Sequence, residues 1–138
     1  MNGLIRISLF ILFAVCFSCE DMGWITDCSE CTSNEPREGF LIIKLTGNVS
    51  PVLVNVYEGE IEDSVLYAFA SITGEKYTPG INLNKKYTVT ATYNIDNKTY
   101  IAVDSAIPKV KYTEDQCENP CYFIYDRVID LRIKYTAE

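Results

Sequence analysis

The chain has no histidine. This absence excludes Ser-His-Asp and Cys-His activation of a nucleophile, and it removes the commonest general base near neutral pH. It also excludes metals held by imidazole. Glycine is sparse, and Gly59, Gly74 and Gly80 stand alone at turns, so no glycine-rich loop is present to cradle a phosphate. Basic side chains are outnumbered, 12 against 19 acidic, for a net charge of −7. That balance argues against a nucleic-acid partner, which needs Lys and Arg on one face to displace counterions. There is no convincing helical stripe, no internal repeat and no low-complexity tract. The apolar run at residues 9–17 is too short to span a bilayer comfortably. Carboxylates do cluster at Glu58, Glu60, Glu62 and Asp63. A glycosidase needs two carboxyls held across a sugar-sized cleft, and one local acidic loop reads instead as a solvated turn. The spacing also differs from an EF-hand loop. The expectation is a protein without catalytic activity and without a cofactor.

What is present begins at the N-terminus. Arg6 precedes the apolar run, Ser18 is small, and Cys19 is followed at once by Glu20 and Asp21. A basic start, a short apolar stretch and a small residue before the cut define a secretory signal over residues 1–18. The segment Ala14-Val15-Cys16-Phe17-Ser18-Cys19 resembles a bacterial lipoprotein lipobox. Cys16 stands where that pattern usually has Leu, and Ser18 where it has Gly or Ala. The acidic pair behind Cys19 is similar to the surface-export signals of Bacteroidetes-type lipoproteins. The resemblance implies palmitate-type acylation of Cys19, an outer-membrane anchor and a cell-surface location. Acyl chains contribute roughly 0.8 kcal/mol per buried CH₂, enough in combination for stable anchoring. The alternative is an ordinary secretory signal cut nearby, giving a soluble exported protein.

Residues 19–38 contain Asp21, Asp27, Ser29, Ser33, Asn34 and Pro36 but few apolar residues, and read as a tether. Residues 39–138 form the body, large enough for one domain with its own core. Its pattern alternates with a period of two. Leu41, Ile43 and Leu45 point one way and Lys44 the other. Val52, Val54 and Val56 repeat the alternation, with Asn55 and Tyr57 opposite. Tyr87, Val89, Ala91 and Tyr93 alternate with Thr88, Thr90, Thr92 and Asn94. Asp96-Asn97-Lys98 signals a hairpin into residues 99–103. Residues 65–72 are apolar on both faces, as a central strand would be. Residues 108–113 and 122–125 supply further strands, and Ile129, Leu131, Ile133 and Tyr135 close the body. A short helical turn fits only at residues 58–63. The fold expected is all-β, a single antiparallel Greek-key β-sandwich of about seven or eight strands. Over residues 39–135 the pattern resembles the immunoglobulin-like and transthyretin-like domains of exported lipoproteins, with Trp24 left in the tether. A small closed barrel is the competing architecture.

Cys28, Cys31, Cys117 and Cys121 remain once Cys16 is removed and Cys19 is assigned to lipid. They lie in two clusters, CxxC and CxxxC. In an oxidising compartment an even count implies two disulfides, and four cysteines allow three pairings. Cross-cluster pairing is preferred on entropic grounds: closing a loop of about 90 residues constrains the unfolded chain by roughly 4–5 kcal/mol. Cys28–Cys121 with Cys31–Cys117 is one such arrangement. Two other chemistries use the same residues. Four thiolates at Cys28, Cys31, Cys117 and Cys121 could close a structural Zn²⁺ site, although neither cluster carries the glycine usual in zinc knuckles. A redox CxxC is the other, with Asp27 and Glu30 placed to raise rather than lower a thiol pKa.

Ten tyrosines are a high content. Tyr87, Tyr93 and Tyr135 fall at core positions, while Tyr57, Tyr100, Tyr112, Tyr122 and Tyr125 could face outward and stack on sugars or partners. Asp63-Ser64-Val65 and Asp104-Ser105-Ala106 resemble Bacteroidetes O-glycosylation sites, and Asn48-Val49-Ser50 and Asn97-Lys98-Thr99 fit the N-glycosylation acceptor. Together these readings describe a lipid-anchored cell-envelope lipoprotein, binding or structural in role, with an unidentified protein or glycan partner and the membrane held through its anchor. The alternative function is metal or thiol chemistry at the four cysteines.

Overall fold

The computed structural model describes residues 27–49 and 51–134. The signal segment, Cys16, Cys19, Trp24, Ser50 and Tyr135 lie outside the described residues.

The fold is an all-β sandwich. Eleven strands run through the described residues: β1 (Glu38–Phe40), β2 (Ile42–Lys44), β3 (Val52–Glu58), β4 (Leu66–Ile72), β5 (Lys76–Tyr77), β6 (Gly80–Asn82), β7 (Tyr87–Ile95), β8 (Lys98–Ala106), β9 (Lys109–Thr113), β10 (Cys121–Tyr125) and β11 (Val128–Asp130). The single-turn helices are 3-10 turns at Cys28–Glu30 and Ile61–Asp63, the second inside the acidic loop where a helical turn was expected. A four-stranded sheet has the order β4-β3-β7-β8, and a three-stranded sheet the order β11-β2-β5. β1 pairs with β6 and β9 with β10.

The strand number exceeds the expected seven or eight because the first run is divided and because β5 and β6 form where no strand is expected. Leu41 divides β1 from β2, and Thr78-Pro79 divides β5 from β6. Proline has no N–H for a ladder, yet the Leu41 N–H still donates to the Pro79 carbonyl at 3.0 Å, so the two halves stay aligned. β11 runs parallel to β2, with Ile129 beside Ile43, whereas the other pairings are antiparallel. The expectation of an antiparallel sandwich therefore needs this one correction. The parallel pair is held by the Ile42 N–H donating to the Arg127 carbonyl and the Leu131 N–H to the Lys44 carbonyl, each at 2.9 Å, and it places Ile129 and Leu131 in the core.

The period-two reading of β2, β3 and β7 holds, with buried Thr88 in β7 as the exception. Leu41, Ile43, Leu45, Val52, Val54, Val56, Val89 and Ala91 are buried, and Lys44 is exposed. β7 and β8 form the expected hairpin, closed by Asp96 and Asn97 with φ of 50° and 61° between the paired residues Ile95 and Lys98. Two positive φ angles in a two-residue loop match the right-handed twist of the strands, and Asp and Asn tolerate them.

Residues 65–72 behave differently from expectation. They form β4 at the edge of the four-stranded sheet, not a central strand, and Leu66, Tyr67 and Phe69 are exposed. A run apolar on both faces has the composition of a buried strand, but nothing among the described residues covers its outer face or its free edge.

Two tyrosines bolt the layers together. Tyr87 and Tyr93 are fully buried on the inner face of β7. The Tyr93 hydroxyl donates to the Leu131 carbonyl at 2.8 Å and accepts from the Thr46 N–H at 3.1 Å. The Tyr87 hydroxyl does the same with the Asn82 carbonyl and N–H, each at 3.1 Å. Each ring fills the core while its hydroxyl satisfies backbone of the opposite layer. Tyr93→Phe removes one hydroxyl and leaves a carbonyl and an N–H without that partner. It should cost about 1–3 kcal/mol, read as a lowered midpoint in urea denaturation; an unchanged midpoint would contradict the role.

Candidate functional site

The four cysteines meet at one end of the body. Tyr122 in β10 exchanges backbone hydrogen bonds with Thr32, its N–H reaching the Thr32 carbonyl at 2.7 Å and its carbonyl accepting at 2.8 Å. This bridge brings Cys31 beside Cys121. The 3-10 turn at Cys28–Glu30 then folds Cys28 back toward Cys117. Asp27 starts that turn: it accepts from the Ser29 hydroxyl at 2.6 Å and the Ser29 N–H at 3.0 Å, and these bonds hold its carboxyl below the usual range. Arg127 pairs with Glu30 on the same turn.

The bonds formed are Cys28–Cys117 and Cys31–Cys121, with Cα separations of 5.7 and 5.5 Å. Pairing is across the clusters, as loop entropy favours, but in this order rather than as Cys28–Cys121 with Cys31–Cys117. The Thr32–Tyr122 register decides the order. Once one bridge closes a loop of 89 residues, the second adds only a short ring, so the pair stabilises less than two independent long loops would. The sulfurs of Cys31, Cys117 and Cys121 lie within 4.8 Å of one another. In the disulfide form they offer no thiolate. The end of the tether that falls within the described residues is thereby fixed to β10.

The other sequence candidates are surface features. Glu58 pairs with Lys85 at 2.8 Å and Glu60 with Lys86, so two of the clustered carboxylates already have basic partners. Tyr57 and Tyr100 are half-buried. Tyr112 and Tyr122 contact each other with ring centres 4.9 Å apart, tilted by 49°, so they form no flat stacking platform. A shallow depression of about 400 Å³ between Phe40 and Tyr67 contains one carboxylate, Glu38.

The outer face of the four-stranded sheet is an exposed apolar surface. The pairings place Ser71, Leu53, Thr92 and Ile101 in one row across it, and Phe69, Asn55, Thr90 and Val103 in the next. Neither row holds a charge. Phe69 is 73% exposed, Ile101 64%, and Leu53 and Val103 each 53%. Large apolar side chains grouped on one exposed face mark an interaction surface more often than an ordinary solvated one. This face was missed in the sequence because Leu53 sits inside the run Val52–Val54 and Phe69 in an apparently central strand. The signal that could have found it is Leu53 itself, apolar on the side where Asn55 faces out.

In comparisons with known proteins, no family model, no curated protein and no solved structure matches this chain.

Under denaturing, non-reducing conditions alkylation should find no free thiol at Cys28, Cys31, Cys117 or Cys121, and peptide mapping should recover Cys28 with Cys117 and Cys31 with Cys121. Reduction should lower stability by about 2–5 kcal/mol. Four alkylated thiols in the untreated protein would contradict the disulfides.

Proposed function

We propose that this chain is a non-catalytic, lipid-anchored module of the bacterial cell envelope, moored by acylated Cys19 at the outer membrane, which presents its four-stranded sheet to a protein partner. The observation that supports the reading is the uncharged outer face carrying Leu53, Phe69, Ile101 and Val103 on a chain with a net charge of −7. A protein surface of complementary shape and similar apolarity fits this face better than a glycan does, because three of its four large side chains are aliphatic and offer no ring for stacking. The absence of histidine from the chain supports a role without catalysis. The tether, pinned by two disulfides, would pass force or position from the anchor directly to the body.

A second reading, thiol or zinc chemistry at Cys28, Cys31, Cys117 and Cys121, is favoured by one observation, the grouping of three sulfurs within 4.8 Å. It requires reduction first.

Two measurements test the proposal. Cys19→Ala should move the protein from the detergent-extracted envelope to the soluble fraction; unchanged partitioning would refute the anchor. In affinity capture from envelope extracts, a partner held by the parent should be lost from the Ile101→Lys/Val103→Lys variant and kept by Tyr112→Ala. Equal capture by parent and double variant would refute the sheet face as the contact.

A further inference from the structure

β4 is an edge strand of the four-stranded sheet that carries none of the usual edge protection. It pairs with β3 alone, and its seven residues, Leu-Tyr-Ala-Phe-Ala-Ser-Ile, include no charge and no proline. Natural sheets blunt such edges with lysine, proline or a covering loop. The opposite edge shows the contrast: β8 carries Lys98 and Asp104 and runs close to β11. The one irregularity of β4 is a bulge opposite Val56 and Tyr57, at its N-terminal end.

The ladder shows which backbone groups of β4 face outward. The Glu58 N–H donates to the Val65 carbonyl at 3.0 Å, and the Gly59 N–H donates to the Lys86 carbonyl at 2.8 Å. Even-numbered residues of β3 therefore bond toward β4, and odd-numbered ones away from it. Ala68, Ala70 and Ile72, opposite Val56, Val54 and Val52, are the hydrogen-bonded partners. Phe69 and Ser71 fall between them and turn their N–H and C=O groups to the open edge.

We propose that a second copy of this chain occupies that edge, β4 against β4 in antiparallel register about a two-fold axis at Phe69. The strand is complementary to itself there. Each Phe69 donates its N–H to the other copy's Phe69 carbonyl and accepts in return. Ala68 comes opposite Ala70, small against small on the inner face, in the part of β4 that lies beyond the bulge. The two Phe69 rings, the most exposed large apolar side chains of the body, lie side by side on the outer face. Charge selects the site as well. Two copies of a chain carrying −7 repel one another, and β4 is a seven-residue contact at which no carboxylate is brought opposite another. An isologous contact of this kind closes on itself, so the assembly stops at a dimer. The result is a continuous eight-stranded sheet. This inference rests on the edge of β4 and shares only Phe69 with the face proposed for the envelope partner.

Sedimentation equilibrium of the purified full-length protein should show a concentration-dependent monomer–dimer equilibrium. Ser71→Pro removes one outward N–H and leaves the β3 ladder intact, since an edge strand tolerates proline where its N–H faces solvent. Phe69→Lys places two like charges opposite each other. Each variant should weaken the dimer by about tenfold or more. Leu53→Lys, on the same face one strand inward, should leave it unchanged. Far-UV circular dichroism and disulfide mapping establish that all three variants fold. A parent that is monomeric at every concentration, or a dimer that survives Ser71→Pro and Phe69→Lys, overturns the proposal. Loss of the dimer in Leu53→Lys but not in Ser71→Pro also overturns it, in favour of face-to-face contact. Because no envelope component is present, none of these results bears on the captured partner.

Discussion

The structure depends on how one strand, β7, divides its two faces. Its inner side chains, Tyr87, Val89, Ala91 and Tyr93, are fully buried, and both tyrosine hydroxyls end on backbone of the opposite layer. A buried hydroxyl without a partner would cost about 1–3 kcal/mol, so these hydrogen bonds favour one spacing and register of the layers. Alternation then sends Thr88, Thr90 and Thr92 to the other face. Thr88 is itself buried at the loop, where its hydroxyl donates to the Gly59 carbonyl at 2.7 Å. The four-stranded sheet thus has one face sealed by the tyrosines and one that is apolar at its flanks and open to solvent.

The disulfides act on a different link of the chain. A tether rich in polar residues has little apolar surface to bury and would not order itself. Two bonds to the β9–β10 hairpin, with the Thr32–Tyr122 bridge between them, supply the constraint that packing lacks. Exposed charges contribute less. Arg132 holds the Asp130 carboxyl far below the usual range through its guanidinium hydrogen bond, yet Arg132 is largely exposed and water screens much of that interaction.

The buried half of the fold was legible in the sequence because burial writes a period of two into β2, β3 and β7. The hairpin at Asp96-Asn97 was legible because its φ angles demand those residue types. Strand β4 was misread for a physical reason. Composition reports what a strand could bury, whereas position in a sheet reports what is available to cover it, and only pairing reveals the latter. The parallel β11 and the breaks at Leu41 and Pro79 likewise depend on contacts distant in sequence. Cross-cluster disulfides followed from loop entropy, which cannot distinguish two pairings of nearly equal loop length. The backbone register at Thr32 made that choice. The outer face was hidden because Leu53, Phe69, Ile101 and Val103 alternate with residues that pack toward the core.

A strand left apolar on both faces and unpaired along one edge is the feature that connects this fold to a role. The most direct measurement is amide hydrogen exchange along β4 at increasing protein concentration. Ala68 and Ala70, bonded to β3, should be protected at every concentration. Phe69 and Ser71 should exchange freely when dilute and gain protection as copies pair. Equal, concentration-independent exchange at Phe69 and Ser71 would contradict the account.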